Sequence, residues 1–381
     1  MVAGKRILLI SSLMPGATAF YLIRELRAIG HELAVISDIE HDCVSDVRHG
    51  IVDLPSWIAR SGFQPDAVLF IEGGTRRLFP SGMEALDCPT AWYAIDTHIH
   101  PELHARTARL FDLSFVAQRE FLPLFAPSQA TWLPLAADLA LYPQARLERD
   151  LDVAYVGSDN RTLHPERALL LDAIRARYAS VYLGRAEPAR IGEIYSRAKV
   201  VFNKSVRNDV NMRYFEAMAA GAALLTDRTS GNGVEELFSP GVDFVEYEDE
   251  SSMLASIDRL LADDSVRERI GQCGKETVLV RHTYRQRAEQ VAKALLACPH
   301  RVRPSPGDYL PVFHLLRFPD GVLSQALSSL SWMRSNGDRN PVLAAAILLL
   351  WPLAQVLLKG YSLRYRLRYR GVSRAGKERR G

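Results

Sequence analysis

Short apolar runs alternate with helix-period stretches along most of the chain. Runs at Arg6–Ile10, Leu33–Ser37, Ala67–Ile71, Thr90–Tyr93, Leu113–Val116 and Ala130–Leu133 predict a first series of strands. A second series follows at Leu151–Val156, Ser180–Leu183, Val200–Phe202, Ala223–Thr226 and Asp243–Glu246. Helical patterns fall between them, among them Thr18–Ile29, Pro165–Arg177 and Met212–Ala219. Unbroken apolar strands separated by helices predict parallel sheets covered on both faces. The series breaks at "LYPQARLERDLDVAYVGSDN", where a charged link from Arg146 to Asp150 leads into a fresh strand and a glycine turn. A boundary near residue 148 is therefore expected, giving an α/β chain of two doubly wound domains, residues 1–148 and 149–300, facing each other across a cleft. Residues 251–297 read as helical, and after Pro299 the residues 301–381 belong to neither sheet.

Composition adds little to this and contradicts none of it. With 48% hydrophobic and 24% charged residues in 381, the chain is globular and not disordered. Its four cysteines, Cys43, Cys88, Cys273 and Cys298, form no C-x-x-C pair, which suits a reduced, cytosolic protein. Charge is unevenly spread. Residues 359–381 hold nine Lys or Arg against one Glu, a surplus of eight, so a chain of net charge +3 has a body of −5. The opening "GKRILLISSLMPGATAF" imitates a secretory signal, but its removal would delete the first strand of the sheet, so it reads as a strand, a glycine loop and a helix.

One stretch concentrates chemistry. "VVFNKS" delivers Asn203, Lys204 and Ser205 to the carboxyl end of a strand, where parallel sheets bind ligands. "NDVNMRYFEAMAAGAALLTD" follows, and the start of its helix favours an anion. Arg213 sits in the first turn and Glu216 about one turn on. A nucleotide diphosphate would offer phosphates to the helix start and a ribose diol to the carboxylate. A carboxylate at a helix edge with an arginine neighbour is the plainer alternative. Gly221 ends the helix.

"FNKSVRNDVNMRYFEAMAAGAALLTD" and the following "GVEELFSPGVDFVEYEDESSMLASIDRLLADDSVRERIGQCGKETVLVRHTY" resemble the C-terminal half of the retaining GT-B glycosyltransferases, closest to their CgeB-like, spore-maturation-protein branch. The resemblance is specific over about residues 150–297 and loose over 1–148, where "WYAIDTH" matches best. It implies two Rossmann-like domains, a nucleotide-sugar donor held by the second, and neither metal nor other cofactor. It places Glu216 as the second acid of an E-x7-E motif, on the donor ribose. The first acid falls on Asn208, a departure; Asn208, Asp209 or Asn211 are the substitutes for contacting the sugar. The resemblance also puts Gly157 and Arg161 at the phosphates, with Asn203, Lys204, Asn211 and Arg213 around the donor and Glu235 in a loop near sugar and diphosphate.

In the first half, "AWYAIDTHIHPELH" ends a strand with Asp96, His98, His100 and His104. Asp-x-His-x-His has the look of a metal set, but Pro101 suits a helix start that puts His100 and His104 on one face for ordinary reasons. Asp96 and His98 are the catalytic candidates with Asn208, facing donor sugar or acceptor, and Gly16 is the acceptor-side candidate because glycine lets the backbone approach closely.

Residues 342–358 carry one polar side chain, Gln355, in seventeen positions, the lower limit for spanning a bilayer. The tyrosine- and arginine-rich end beyond them suits an anionic membrane surface. The sequence thus predicts a cytoplasmic protein, peripheral at the inner face of the membrane, that takes a nucleotide sugar and a saccharide or lipid-linked acceptor; no nucleic-acid fold accompanies the basic end. The rival readings are a nucleotide-sugar epimerase on the same fold and a catalytically silent nucleotide-sugar-binding module.

Overall fold

The computed structural model describes residues 4–73, 78–126, 128–158, 160–301, 304, 308 and 309. The apolar stretch 342–358 and the basic end lie outside the described residues. Among the described residues no helix is long and apolar enough to cross a membrane.

The first sheet has seven strands: β1 (Arg6–Ile10), β2 (Glu32–Ser37), β3 (Asp46–Val47), β5 (Ala67–Ile71), β7 (Thr90–Ala94), β8 (Leu113–Val116) and β9 (Ala130–Trp132), in the order β3-β2-β1-β5-β7-β8-β9. Every pairing is parallel. β4 (Gly50–Asp53) and β6 (Leu78–Ser81) make a separate two-stranded sheet that the sequence reading missed. Both are four residues long, and Pro80 interrupts the second, so neither carries a strand-length apolar signal.

The second sheet orders β10 (Leu151–Val156), β11 (Val181–Gly184), β12 (Ala198–Phe202), β13 (Ala223–Asp227) and β14 (Val245–Tyr247) as β11-β10-β12-β13-β14, again all parallel. Strand identity follows burial: Ile7 to Ile10 and Val200 to Phe202 are completely buried, as the apolar runs require.

Each sheet reverses its winding once, between β1 and β5 in the first and between β10 and β12 in the second. Such switch points open a crevice at the carboxyl ends of the strands. The loops there meet across the domains: a Cβ on Gly16 would lie 2.8 Å from Pro188, at the start of α5 (Pro188–Arg197). Arg207 of the second domain donates to the His98 carbonyl at 3.5 Å.

The remaining helices cover the sheets: α1 (Thr18–Ala28), α2 (Leu54–Ser61), α3 (Pro101–Thr107), α4 (Pro165–Arg177), α6 (Met212–Ala219), α7 (Val234–Leu237), α8 (Glu250–Ala262), α9 (Asp264–Arg281) and α10 (Tyr284–Ala297). α10 packs on α1, with the Tyr284 and Tyr21 rings 4.9 Å apart and the Tyr284 and Thr18 hydroxyls at 3.2 Å.

Candidate active site

Arg213 is the hub of the second domain's crevice. Its Nη1 donates to Asn203 Oδ1 at 2.5 Å, its Nη2 to the Val156 carbonyl at 2.7 Å and its Nε to the Tyr195 hydroxyl at 3.3 Å. One guanidinium therefore ties the ends of β10 and β12 to the first turn of α6. Gly157 is required beside it, because a Cβ there would fall 2.6 Å from Arg213 Nη2. Asn211 caps α6, its side-chain oxygen accepting from Arg213 N at 3.2 Å. Lys204 pairs with Asp227 at 3.0 Å and approaches Glu166 at 3.8 Å. Asn203, fully buried, donates to Thr226 Oγ1 at 2.9 Å.

Glu216 follows Arg213 on α6 and is buried. Burial raises its carboxyl to about 7, against a smaller opposing pull from Arg213. Its carbonyl receives the Tyr142 hydroxyl at 2.9 Å, but no described residue donates to its carboxylate. Burial, with this carboxylate's charge adding to it, pushes up the phenols of Tyr21 and Tyr142. The acid thus stands at the seam between α6, the interdomain link and α1, with its acceptors unclaimed. At the far end of the helix, Gly221 takes φ +69° and its N–H returns to the Met218 carbonyl at 2.8 Å, closing the turn as its position predicts.

Arg161 lies largely in solvent and donates to Asp172 of α4 at 2.7 Å. Arg167, which the sequence reading missed, is buried on the same helix with its guanidinium 5.6 Å from the Tyr155 ring centre; Arg213 lies 4.4 Å from that ring. No described residue accepts a hydrogen bond from Arg167, and its Nε is shut away from solvent. Burial, with Arg213 as a like charge, makes this cation costly. An arginine in an amphipathic helix reads as a solvated face, so nothing in the one-dimensional pattern marks it.

Asn208 adopts φ +70°, a left-handed conformation that asparagine tolerates. Its Oδ1 accepts from Ser230 N at 3.3 Å and its Nδ2 donates to the Ser230 carbonyl at 3.0 Å, which fixes this loop to the one before α7. Glu235 stands exposed in the first turn of α7.

The first domain forms the other wall. Gly16 takes φ +78° at the end of the β1 loop. Asp96 is half-buried and His98 is 7% exposed, its Nδ1 buried without a hydrogen-bond partner. Burial lowers the His98 ring to about 4, so it is neutral at pH 7. A residue absent from the sequence reading holds this turn. Glu72, at the end of β5, accepts from the Ile95 and Asp96 N–H groups at 2.6 and 2.9 Å and pairs with His104 at 3.1 Å. Burial alone would raise Glu72, yet His104 and the two N–H groups hold it below the usual carboxylate range. His104 completes its contacts with the Thr97 hydroxyl at 2.9 Å, so its ring nitrogens are engaged.

Residues 140–293 match the model of the family described as glycosyl transferase-like. Among solved structures, sucrose-phosphate synthase from Thermosynechococcus elongatus superposes with a TM-score of 0.58 at 15% identity, covering 76% of this chain and 98% of that one. Anabaena Alr3699/HepE, solved with UDP and glucose, gives 0.56 at 13% identity over 76% and 99%. T4 phage BGT, solved with its UDP-glucose substrate, gives 0.52 at 10% identity over 78% and 100%. No curated protein sequence matches the chain. Two facing Rossmann-like domains with these neighbours are the GT-B fold, and with residues 140–293 matching the glycosyl transferase-like family, the chain is an enzyme of the glycosyltransferase class.

Proposed function

We propose that the protein transfers a hexose from a nucleotide diphosphate sugar, a UDP-sugar first among them, to a hydroxyl of a saccharide or lipid-linked acceptor, with retention and without a metal. The observation that carries the reading is Glu216: a buried carboxylate with no protein donor, one turn from a half-buried arginine at a switch point. A ribose diol provides the donors that this acid lacks, and Arg213, Lys204 and Arg167 meet the diphosphate with the start of α6. UDP is favoured because the similar folds of HepE and BGT were solved with UDP or UDP-glucose.

In this reading the protein stabilises charge that grows on the leaving diphosphate. The acceptor proton passes to the leaving phosphate on the same face, so no strong base is required. The neutral ring of His98 and the backbone at Asp96 line the sugar side, and Gly16 gives the acceptor room. Membership of the CgeB-like branch rests on the motif order around Glu216, and membrane association on residues 342–381, both from the sequence.

Two measurements test this. Thermal shifts with UDP-, GDP-, dTDP- and ADP-sugars should single out one base, since a ligand at 100 times its dissociation constant adds roughly 2.7 kcal/mol. Proton NMR of the glycoside product should show the donor's anomeric configuration. An inverted product would overturn retention, and isomerised donor in an acceptor-free reaction would favour an epimerase.

A further inference from the structure

The loop from β12 to α6 carries three short polar side chains that the family resemblance offers to the sugar, and all three are occupied. Asn208 is bound on both amide atoms by Ser230. Asp209 Oδ1 accepts from Val206 N at 2.6 Å and from Asn211 Nδ2 at 3.4 Å. Asn211 caps α6. The loop spends its own polar groups on its shape.

The turn after β8, from the first domain, stands against this loop. Gln118 Oε1 accepts from Val210 N at 3.2 Å, and Arg119 pairs with Glu236 at 3.2 Å. Glu120 comes next and differs from both. Its two carboxylate oxygens are buried, and no well-aligned hydrogen-bond donor among the described residues reaches either of them. Burial raises its pKa, with the Asp209 charge adding to it, while its own backbone N–H and the Asn208 amide beside it pull the other way without cancelling the rise. A buried carboxylate short of well-aligned donors destabilises a fold, so the chain keeps one here at a cost. It also lies at the carboxyl end of a strand, on the edge where parallel sheets bind ligands.

We propose that Glu120 accepts hydrogen bonds from hydroxyls of the donor sugar, so that the first domain supplies, from the end of β8, the acid that position 208 lacks. The assignment rests on reading the crevice as a nucleotide-sugar site. It makes the sugar a ligand of both domains, while base, ribose and diphosphate belong to the second.

The test is calorimetric titration of the full chain and of Glu120→Gln and Glu120→Ala. The probes are UDP, GDP, dTDP and ADP, followed by the glucose, galactose, mannose and N-acetylglucosamine conjugates of whichever base the wild type binds. Both variants should keep their affinity for the free diphosphate within about twofold. They should lose roughly tenfold or more for the preferred conjugate, as a hydrogen bond to a charged acceptor requires. Glu120→Gln should also melt no lower than wild type, since it keeps the shape and removes a charge short of well-aligned donors. Equal losses for diphosphate and conjugate, or no loss for either, would overturn the assignment. Failure of the wild type to bind any diphosphate would instead remove the donor-site reading itself, and the assignment with it.

Discussion

Arg213 Nη1 meets Asn203 Oδ1 at 2.5 Å, joining the first turn of α6 to the end of β12. The same side chain reaches the Val156 carbonyl at the end of β10. A single cation therefore spans the switch point of the second sheet, and structure and ligand binding converge on it. Arg213→Ala should lower unfolding free energy by on the order of 2–3 kcal/mol, because two buried acceptors lose their donor. In the fraction that folds, affinity for UDP should fall roughly a hundredfold while affinity for uridine changes little. Denaturant melts and calorimetry with the two ligands check both statements; equal losses for UDP and uridine would place Arg213 away from the phosphates.

The sheets were legible because a fully buried parallel strand must be apolar at every position, and the runs at Ile7 to Ile10 and Val200 to Phe202 are. The α6 region was legible as well, since cap, helix, Gly221 and strand follow one another without a gap. What escaped depends on distant partners. Glu72 becomes a clamp only when β7 lies beside β5 and brings the Ile95 and Asp96 N–H groups to it. Arg167 looks like a solvated helix residue until Tyr155 is placed against it. No local spacing encodes either.

Gly16→Ala should test how closely the domains must approach. The φ of +78° already disfavours a side chain, and the new Cβ would fall 2.8 Å from Pro188 Cγ in the other domain. A loss of about 1–2 kcal/mol in stability is expected from the backbone alone. The contact across the crevice adds a further effect that a purely local strain would not produce: a lower turnover at saturating donor. Unchanged turnover in the folded variant would show that the seam at Pro188 does not govern catalysis.

His98 gives an acid-side prediction. Burial holds its ring near 4, below the 6.5 of an unfolded chain, so the folded state binds fewer protons between those values. Its contribution to stability is complete above pH 6.5 and is lost as pH falls toward 4. His282, also held near 4 by burial and then by Arg287, acts in the same direction. His98→Asn should therefore flatten, without abolishing, the decline of melting temperature between pH 6.5 and 4.5. Nitrogen chemical shifts of the His98 ring should report the neutral form at pH 6; a charged ring there would contradict the burial.

Glu216 titrates in the opposite sense. Its folded value of about 7 exceeds the 4.5 of the unfolded chain, so the folded state holds the proton that the unfolded chain gives up. Stability without ligand should therefore decline as pH rises from 4.5 to 7, and Glu216→Gln should remove that part of the slope. Donor binding should run the other way, because a ribose diol donates best to the ionised acid. Affinity for a nucleotide sugar, whose phosphates do not titrate in this range, should strengthen about tenfold from pH 6 to pH 8 and level off above the Glu216 value. Glu216→Gln should bind with no such dependence, and roughly ten to a hundred times more weakly at pH 8. Uridine should show the same pH dependence, since it carries the same diol. A pH-independent wild-type affinity would leave Glu216 as a buried acid of the interdomain seam and move the ribose elsewhere.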